Sequence, residues 1–262
     1  MNIVAVYNLE KDEERLSKAL AAALGKTAYE ARSLLNVPQG GPSIVAVFQE
    51  PEKSEDSAAK LRANGFDAVI LRDEDIESDK ARFLAVNFEF TGESLNVKSR
   101  EGQDLILPYG DIRLMLYGIV KAVHTTNEKV KERKFSMGRA IMSSGAVITK
   151  TTSRQVSTEK KDHERFLYIY APARQTVVLR EYTLKYDSLG KALQLSRTAN
   201  FNYIVAELKR LSPDALFDDR FLNRATQTQI LWPWFNPEEH LDIATSLLAK
   251  VFNLKNEKAI TP

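Results

Sequence analysis

The chain of 262 residues contains no cysteine, which excludes disulfides and thiolate metal sites from the outset. Its three histidines, His124, His163 and His240, are never four residues apart and form no HExxH, so the zinc-hydrolase pattern is absent. No Gly-x-Ser-x-Gly elbow, P-loop or GxGxxG occurs, which removes the sequence signatures of serine hydrolases and common nucleotide folds. Apolar runs stay well short of the ~20 residues of a membrane span. The start, MNIVAVYNLEKDEE, turns acidic too soon for a secretory signal. A reducing, cytoplasmic setting is therefore expected.

What is present is an ordinary globular composition, 44% hydrophobic and 27% charged, enough for one large or two smaller cores. The net charge of +2 is unevenly placed. Residues 1–120 carry 14 basic and 20 acidic side chains, whereas 121–165 alone carry 11 basic and 5 acidic. That asymmetry divides the surface without reaching the strongly basic character of a dedicated nucleic-acid binder.

Hydrophobic periodicity supplies the elements. Residues 3–7 and 43–48 read as strands, and Leu16, Leu20, Ala23 and Leu24 mark a helix ended by Gly25. Thr27 and Glu30 have capping-box spacing for a second helix ending near Asn36. Ser54 is expected to cap a third over about 55–64, with a strand at 66–71. The order is β, α, α, β, α, β. Further strands are expected at 83–90, 93–99, 103–108 and 111–123, the last interrupted at Gly118, followed by a hairpin of 166–170 with 176–181. Phe201, Ile204, Val205, Leu208 and Leu211 predict a helix capped by Thr198 or Asn200, and Leu241, Ala244, Leu248, Val251 and Phe252 predict a last one.

The stretch from Thr27 to Leu71, with Glu30-Ala31-Arg32-Ser33-Leu34-Leu35, Ala58-Ala59-Lys60-Leu61 and Gly65-Phe66-Asp67-Ala68-Val69, resembles the C-terminal domain of the bacterial ribosomal stalk protein. That resemblance implies an α/β sandwich that binds translation factors or adaptor partners. Ile106-Leu107-Pro108-Tyr109 followed by Asp111-Ile112 resembles the opening of a pleckstrin-homology-like barrel, and the likeness covers about residues 83–210. It implies a closed antiparallel barrel with its C-terminal helix plugging one end. Residues 134–150, KFSMGRAIMSSGAVITK, together with Asn200-Phe201, resemble an uncharacterised family of bacterial two-domain proteins, which implies no particular activity. The expected fold is thus α+β: a small α/β sandwich over 1–72, an acidic linker over 73–81, and a barrel with C-terminal helices over 82–262. A basic insertion falls at about 124–165.

Few residues suggest chemistry. Asp73, Asp75, Glu77 and Asp79 alternate as in a calcium loop, but Ser78 stands where such a loop needs glycine and Leu84 where it needs glutamate. Ser57-Ala58-Ala59-Lys60 and Ser157-Thr158-Glu159-Lys160 match Ser-x-x-Lys without its companion motifs. The insertion is more informative. Lys129, Lys131, Arg133, Lys134 and Arg139, then Lys150, Arg154, Lys160 and Lys161, form two basic blocks around a small apolar stretch. Such blocks suit either an acidic partner, a nucleic-acid backbone or an anionic surface, or a strand edge guarded by lysines. Tyr168 and Tyr170 share a strand face with Phe166, as a base-stacking platform would, although a half-buried strand explains them equally simply. Trp232-Pro233-Trp234-Phe235 reads first as a hydrophobic anchor for the last helix and second as a docking motif. The expected function is non-catalytic: an adaptor binding a protein partner through the basic loop, without cofactor or metal. A nucleic-acid- or ribosome-associated factor is the alternative.

Overall fold

The computed structural model describes residues 1–9, 13–135 and 149–260. The chain is mixed α+β with two sheets. In order come β1 (Asn2–Tyr7), α1 (Glu13–Leu24), α2 (Ala28–Leu35), β2 (Ser43–Phe48), α3 (Pro51–Ala63) and β3 (Asp67–Arg72). Then follow β4 (Phe83–Phe90), β5 (Ser94–Ser99), β6 (Asp104–Pro108), β7 (Leu114–Phe135), β8 (Thr149–Tyr170) and β9 (Val177–Arg180). The chain closes with α4 (Arg197–Leu211), β10 (Leu216–Phe221), α5 (Arg224–Leu231) and α6 (Leu241–Ile260).

β1, β2 and β3 form an antiparallel sheet in the order β2-β1-β3. Alternation gives β1 two buried faces. Val4 and Val6 join Leu20, Leu34 and Leu61 from α1, α2 and α3, while Ile3 and Ala5 face the other way. The Thr27–Glu30 capping box is present on α2. The start of α3 differs from the sequence reading: Pro51 opens the helix with Glu50 at the N-cap, and Ser54 lies inside the first turn. Proline fixes the φ a first helical residue needs and has no amide to leave unpaired, so it outcompetes the serine.

The second sheet has seven strands in the order β10-β7-β8-β9-β4-β5-β6, and it is not closed into a barrel. Two of its pairings, β4 with β9 and β10 with β7, are parallel. One face packs on α4 through Phe201, Ile204, Val205 and Leu208. The opposite face carries Leu114, Leu116, Phe166, Tyr168 and Phe221. These share one core with α5, α6 and the Ile3/Ala5 face of the small sheet. The C-terminal helix therefore does not plug a barrel end. Its residues Leu247, Leu248 and Val251 are buried in a core to which both sheets contribute.

Gly118 does not interrupt β7, which runs through it. A methyl group there would stand 2.5 Å from Phe221 Cβ and 2.6 Å from Phe166 Cζ, so the glycine is a packing requirement. α4 is capped by Ser196, whose Oγ accepts from the Ala199 amide at 3.1 Å, and Thr198 and Asn200 fall inside the helix. β10 and α5 have no counterpart in the periodicity reading. The buried Asp218–Arg220 ion pair, at 2.7 Å, fixes β10, and Arg220 donates to the Gly41 carbonyl at 2.6 Å. Residues 1–120 and 164–262 form one compact unit, and 121–163, from the long β7 and β8, form a second.

Candidate protein-interaction site

The basic blocks are placed by backbone only. Lys129, Lys131, Arg133 and Lys134 fall in β7, and Lys150 and Arg154 in β8. Their side chains, that of His124, and Arg139 altogether lie outside the described residues.

The two tyrosines are placed in full. Tyr168 is 1% exposed and Tyr170 is half-buried, so the strand offers no open ring face for a base. The Arg82 guanidinium lies over the Tyr168 ring, 4.3 Å from its centre. The Arg82 side chain is fully buried, which is expensive for a charge unless partners surround it. It has several: Nη1 meets Asp242 at 2.6 Å and Asp79 at 3.2 Å, and Nη2 donates to Thr245 Oγ1 at 3.3 Å. Arg180 joins the cluster at Asp79 and, at 3.6 Å, Glu164.

Burial pushes the hydroxyls of Tyr168 and Tyr170 well above the ordinary phenol range, so both stay protonated at neutral pH. Arginines paired with carboxylates and phenols that keep their protons make a tightly bonded charged cluster. Their evident work is mechanical. Arg82–Asp242, Lys250–Asp75 at 2.6 Å and the Glu77 amide on Ser246 Oγ at 3.0 Å fasten the 73–82 segment along α6. Asp75, Glu77 and Asp79 are thus used as anchors for the connector. Among the described residues, no group of three or more His, Cys, Asp or Glu could hold a metal ion.

The tryptophan corner divides its labour. Phe235 packs against the α5–α6 core and its ring lies 5.4 Å from that of His240, as an anchor should. Trp232 and Trp234 do not follow it inside: they are 50% and 39% exposed. The backbone holds them there. The Trp232 amide donates to the Thr228 carbonyl at 2.8 Å and the Trp234 amide to the Leu231 carbonyl at 3.0 Å, extending the end of α5 into a tight turn. An ion pair from Arg224 to Glu238, 2.6 Å, links the start of α5 to the segment beyond the turn. Two large aromatics on a fixed backbone lose little freedom on binding, and Trp is enriched among the residues that carry interface energy. The sequence showed the aromatic density of this segment but not which rings point outward, because that depends on the end of α5.

Among the described residues, no helix is long and apolar enough to cross a membrane. No family model, no curated protein and no solved structure matches this chain.

Proposed function

We propose that this protein is a non-catalytic adaptor that binds a protein partner, with Trp232 and Trp234 as the anchors of the contact. The observation that carries the reading is their exposure, 50% and 39%, on a turn that is hydrogen-bonded in place. Most Trp side chains are largely buried, so two neighbours left half in solvent point to a surface that is covered in a complex. The basic residues of β7 and β8 supply a second, electrostatic element of the same reading, steering an acidic partner toward the molecule. The finer kinships belong to this proposal too. The βααβαβ order and the antiparallel β2-β1-β3 sheet support a stalk-like binding domain over 1–72. The β4-β5-β6 meander with α4 packed on the sheet supports a relation to pleckstrin-homology-like domains, in an open form.

The test is affinity capture from extract of the source cells with the wild-type chain and with the W232A/W234A double variant. Each ring is surface-exposed, so the variant should melt within a few degrees of wild type. A protein retained by wild type and lost by the variant supports the reading. A capture profile identical for both chains overturns it. Nuclease treatment runs in parallel, because material lost on nuclease digestion would favour the nucleic-acid alternative.

A further inference from the structure

The small sheet has two edge strands, β2 and β3, and neither is paired with a further strand among the described residues. In the order β2-β1-β3, β3 pairs with β1 alone. The Asp73 amide bonds the Met1 carbonyl, and antiparallel ladders alternate. Leu71, Val69 and Asp67 therefore direct their amides and carbonyls to β1, and Ala68, Ile70 and Arg72 direct theirs outward. Helices flank this edge on both faces of the sheet. The result is a groove of about 430 Å³, lined by β3, by Glu55 and Arg62 of α3 and by Lys250 and Leu254 of α6. That volume is within the ~300–1,000 Å³ of ordinary ligand sites.

Native proteins blunt such edges, and this one is blunted at its two ends. Arg62 donates from Nε and Nη2 to the Ala68 carbonyl, at 3.3 and 3.0 Å. Asp75 accepts the Arg72 amide at 2.8 Å. Ile70 lies between them, with its outward amide and carbonyl at the centre of the groove. The charges are unequal. Arg72 pairs with Glu55 at 2.9 Å and Lys250 with Asp75 at 2.6 Å, so those four cancel. Arg62 meets only a carbonyl, and the Lys255 ammonium sits 5.9 Å from the centre of the Tyr7 ring. Neither forms an ion pair among the described residues, although Asp67, which also lines the groove, and Asp218 act on the Lys255 charge. Burial, and then the neighbouring Arg220, hold the Lys255 pKa below its ordinary value against the opposing pull of Asp67 and Asp218.

We propose that β3 accepts an added strand: an extended acidic segment of a partner protein that bonds to Ile70 and presents a carboxylate to Arg62. Arg62 then acts as a gate. In the free chain it occupies the Ala68 carbonyl. A peptide carboxylate draws it away, and the carbonyl becomes available to a peptide amide. Apolar side chains on the opposite face of the added strand lie against Leu254. Main-chain bonds supply the general attraction in this mode, and the side-chain pockets supply the selectivity. The inference rests on the protein-binding reading but on different residues from the tryptophan corner, so either can fail alone.

The test uses the full chain and a fluorescein-labelled peptide, TVEVEVT, read by fluorescence anisotropy. The charge-reversed TVKVKVT and a TVEVEVT carrying N-methyl groups on its central amides are the controls. The expected result is saturable binding of the acidic peptide, weakened about tenfold or more by charge reversal, the scale of one charge-assisted hydrogen bond. N-methylation should weaken it at least as much, because it removes backbone donors and leaves the charge. R62Q, at an exposed position, should erase the preference for the acidic peptide, and W232A/W234A should bind it as wild type does. No rise in anisotropy up to about 1 mM protein, where a millimolar binder would be about half occupied, overturns the proposal. So does equal binding of the N-methylated or the basic peptide.

Discussion

Replacing Gly118 with alanine should destabilise the protein as strongly as losing a core side chain. The added methyl would lie 2.5 Å from Phe221 Cβ and 2.6 and 2.7 Å from two ring atoms of Phe166. Carbon atoms prefer about 3.5–4.0 Å, so about 1 Å of overlap must be relieved on both sides of the strand at once. Phe221 Cβ cannot swing away, because it is bonded directly to the backbone of β10. Phe166 is 0% exposed and rests against Tyr168, with ring centres 4.5 Å apart, so its ring has nowhere to move. Overpacking of this kind costs about 1–3 kcal/mol, and the rigid neighbours place G118A at the upper end. For a chain of this size that is a fall of about 6–12 °C in Tm, at ~2–4 °C per kcal/mol. Thermal unfolding followed by circular dichroism measures it. F166L should return part of the loss in the double variant, since it removes one of the two clashes. A G118A protein as stable as wild type would refute this packing of β7 against β10.

Two further outcomes follow from the buried charges. R220A leaves Asp218 buried without its partner, and removing one member of such a pair costs about 3–5 kcal/mol. Denaturant titration should show the loss, and a cost below about 1 kcal/mol would mean that Asp218 is solvated. For Asp75, burial opposes ionisation, but the Lys250 ammonium and the Arg72 amide outweigh it and hold the carboxyl below its ordinary value. A depressed folded pKa gives stability that is fully present above the unfolded value of ~3.9 and is lost as pH falls through the folded pKa. D75N should therefore be less stable than wild type at pH 7, with the gap closing in acid. A gap that stays constant as the pH falls far into the acid range would contradict the linkage.

Much of the local architecture was legible because local rules decide it. The Thr27–Glu30 capping box and the alternation of Val4 and Val6 with Ile3 and Ala5 need only neighbours within a few residues. The failures are equally physical. β10 is short, carries Asp218, Asp219 and Arg220 in its centre, and exists as a strand because β7 and a buried ion pair hold it. A charge-rich hexapeptide gives no strand period. Gly118 read as a break because glycine usually weakens a strand, whereas here the absence of a side chain admits Phe166 and Phe221. The barrel expectation failed on pairing. Strand spacing does not reveal that β9 joins β4 in parallel, and that choice determines where the sheet ends. Tyr168 illustrates the site-level limit. Its alternation with Leu167 and Ile169 is visible, but both faces of β8 are covered, one by α4 and the other by α6.

The most direct test of the adaptor reading uses the tryptophans themselves. The chain has two, Trp232 and Trp234, and both stand at the proposed contact. Labelled with 5-fluorotryptophan, it gives one fluorine NMR signal from each position, free of any contribution from a partner. In the free protein both signals should shift on changing from H2O to D2O, as exposed rings do. On adding the captured partner, both should move and lose that solvent sensitivity as the rings are covered. A complex that forms while both signals keep their position and their solvent shift would contradict the account.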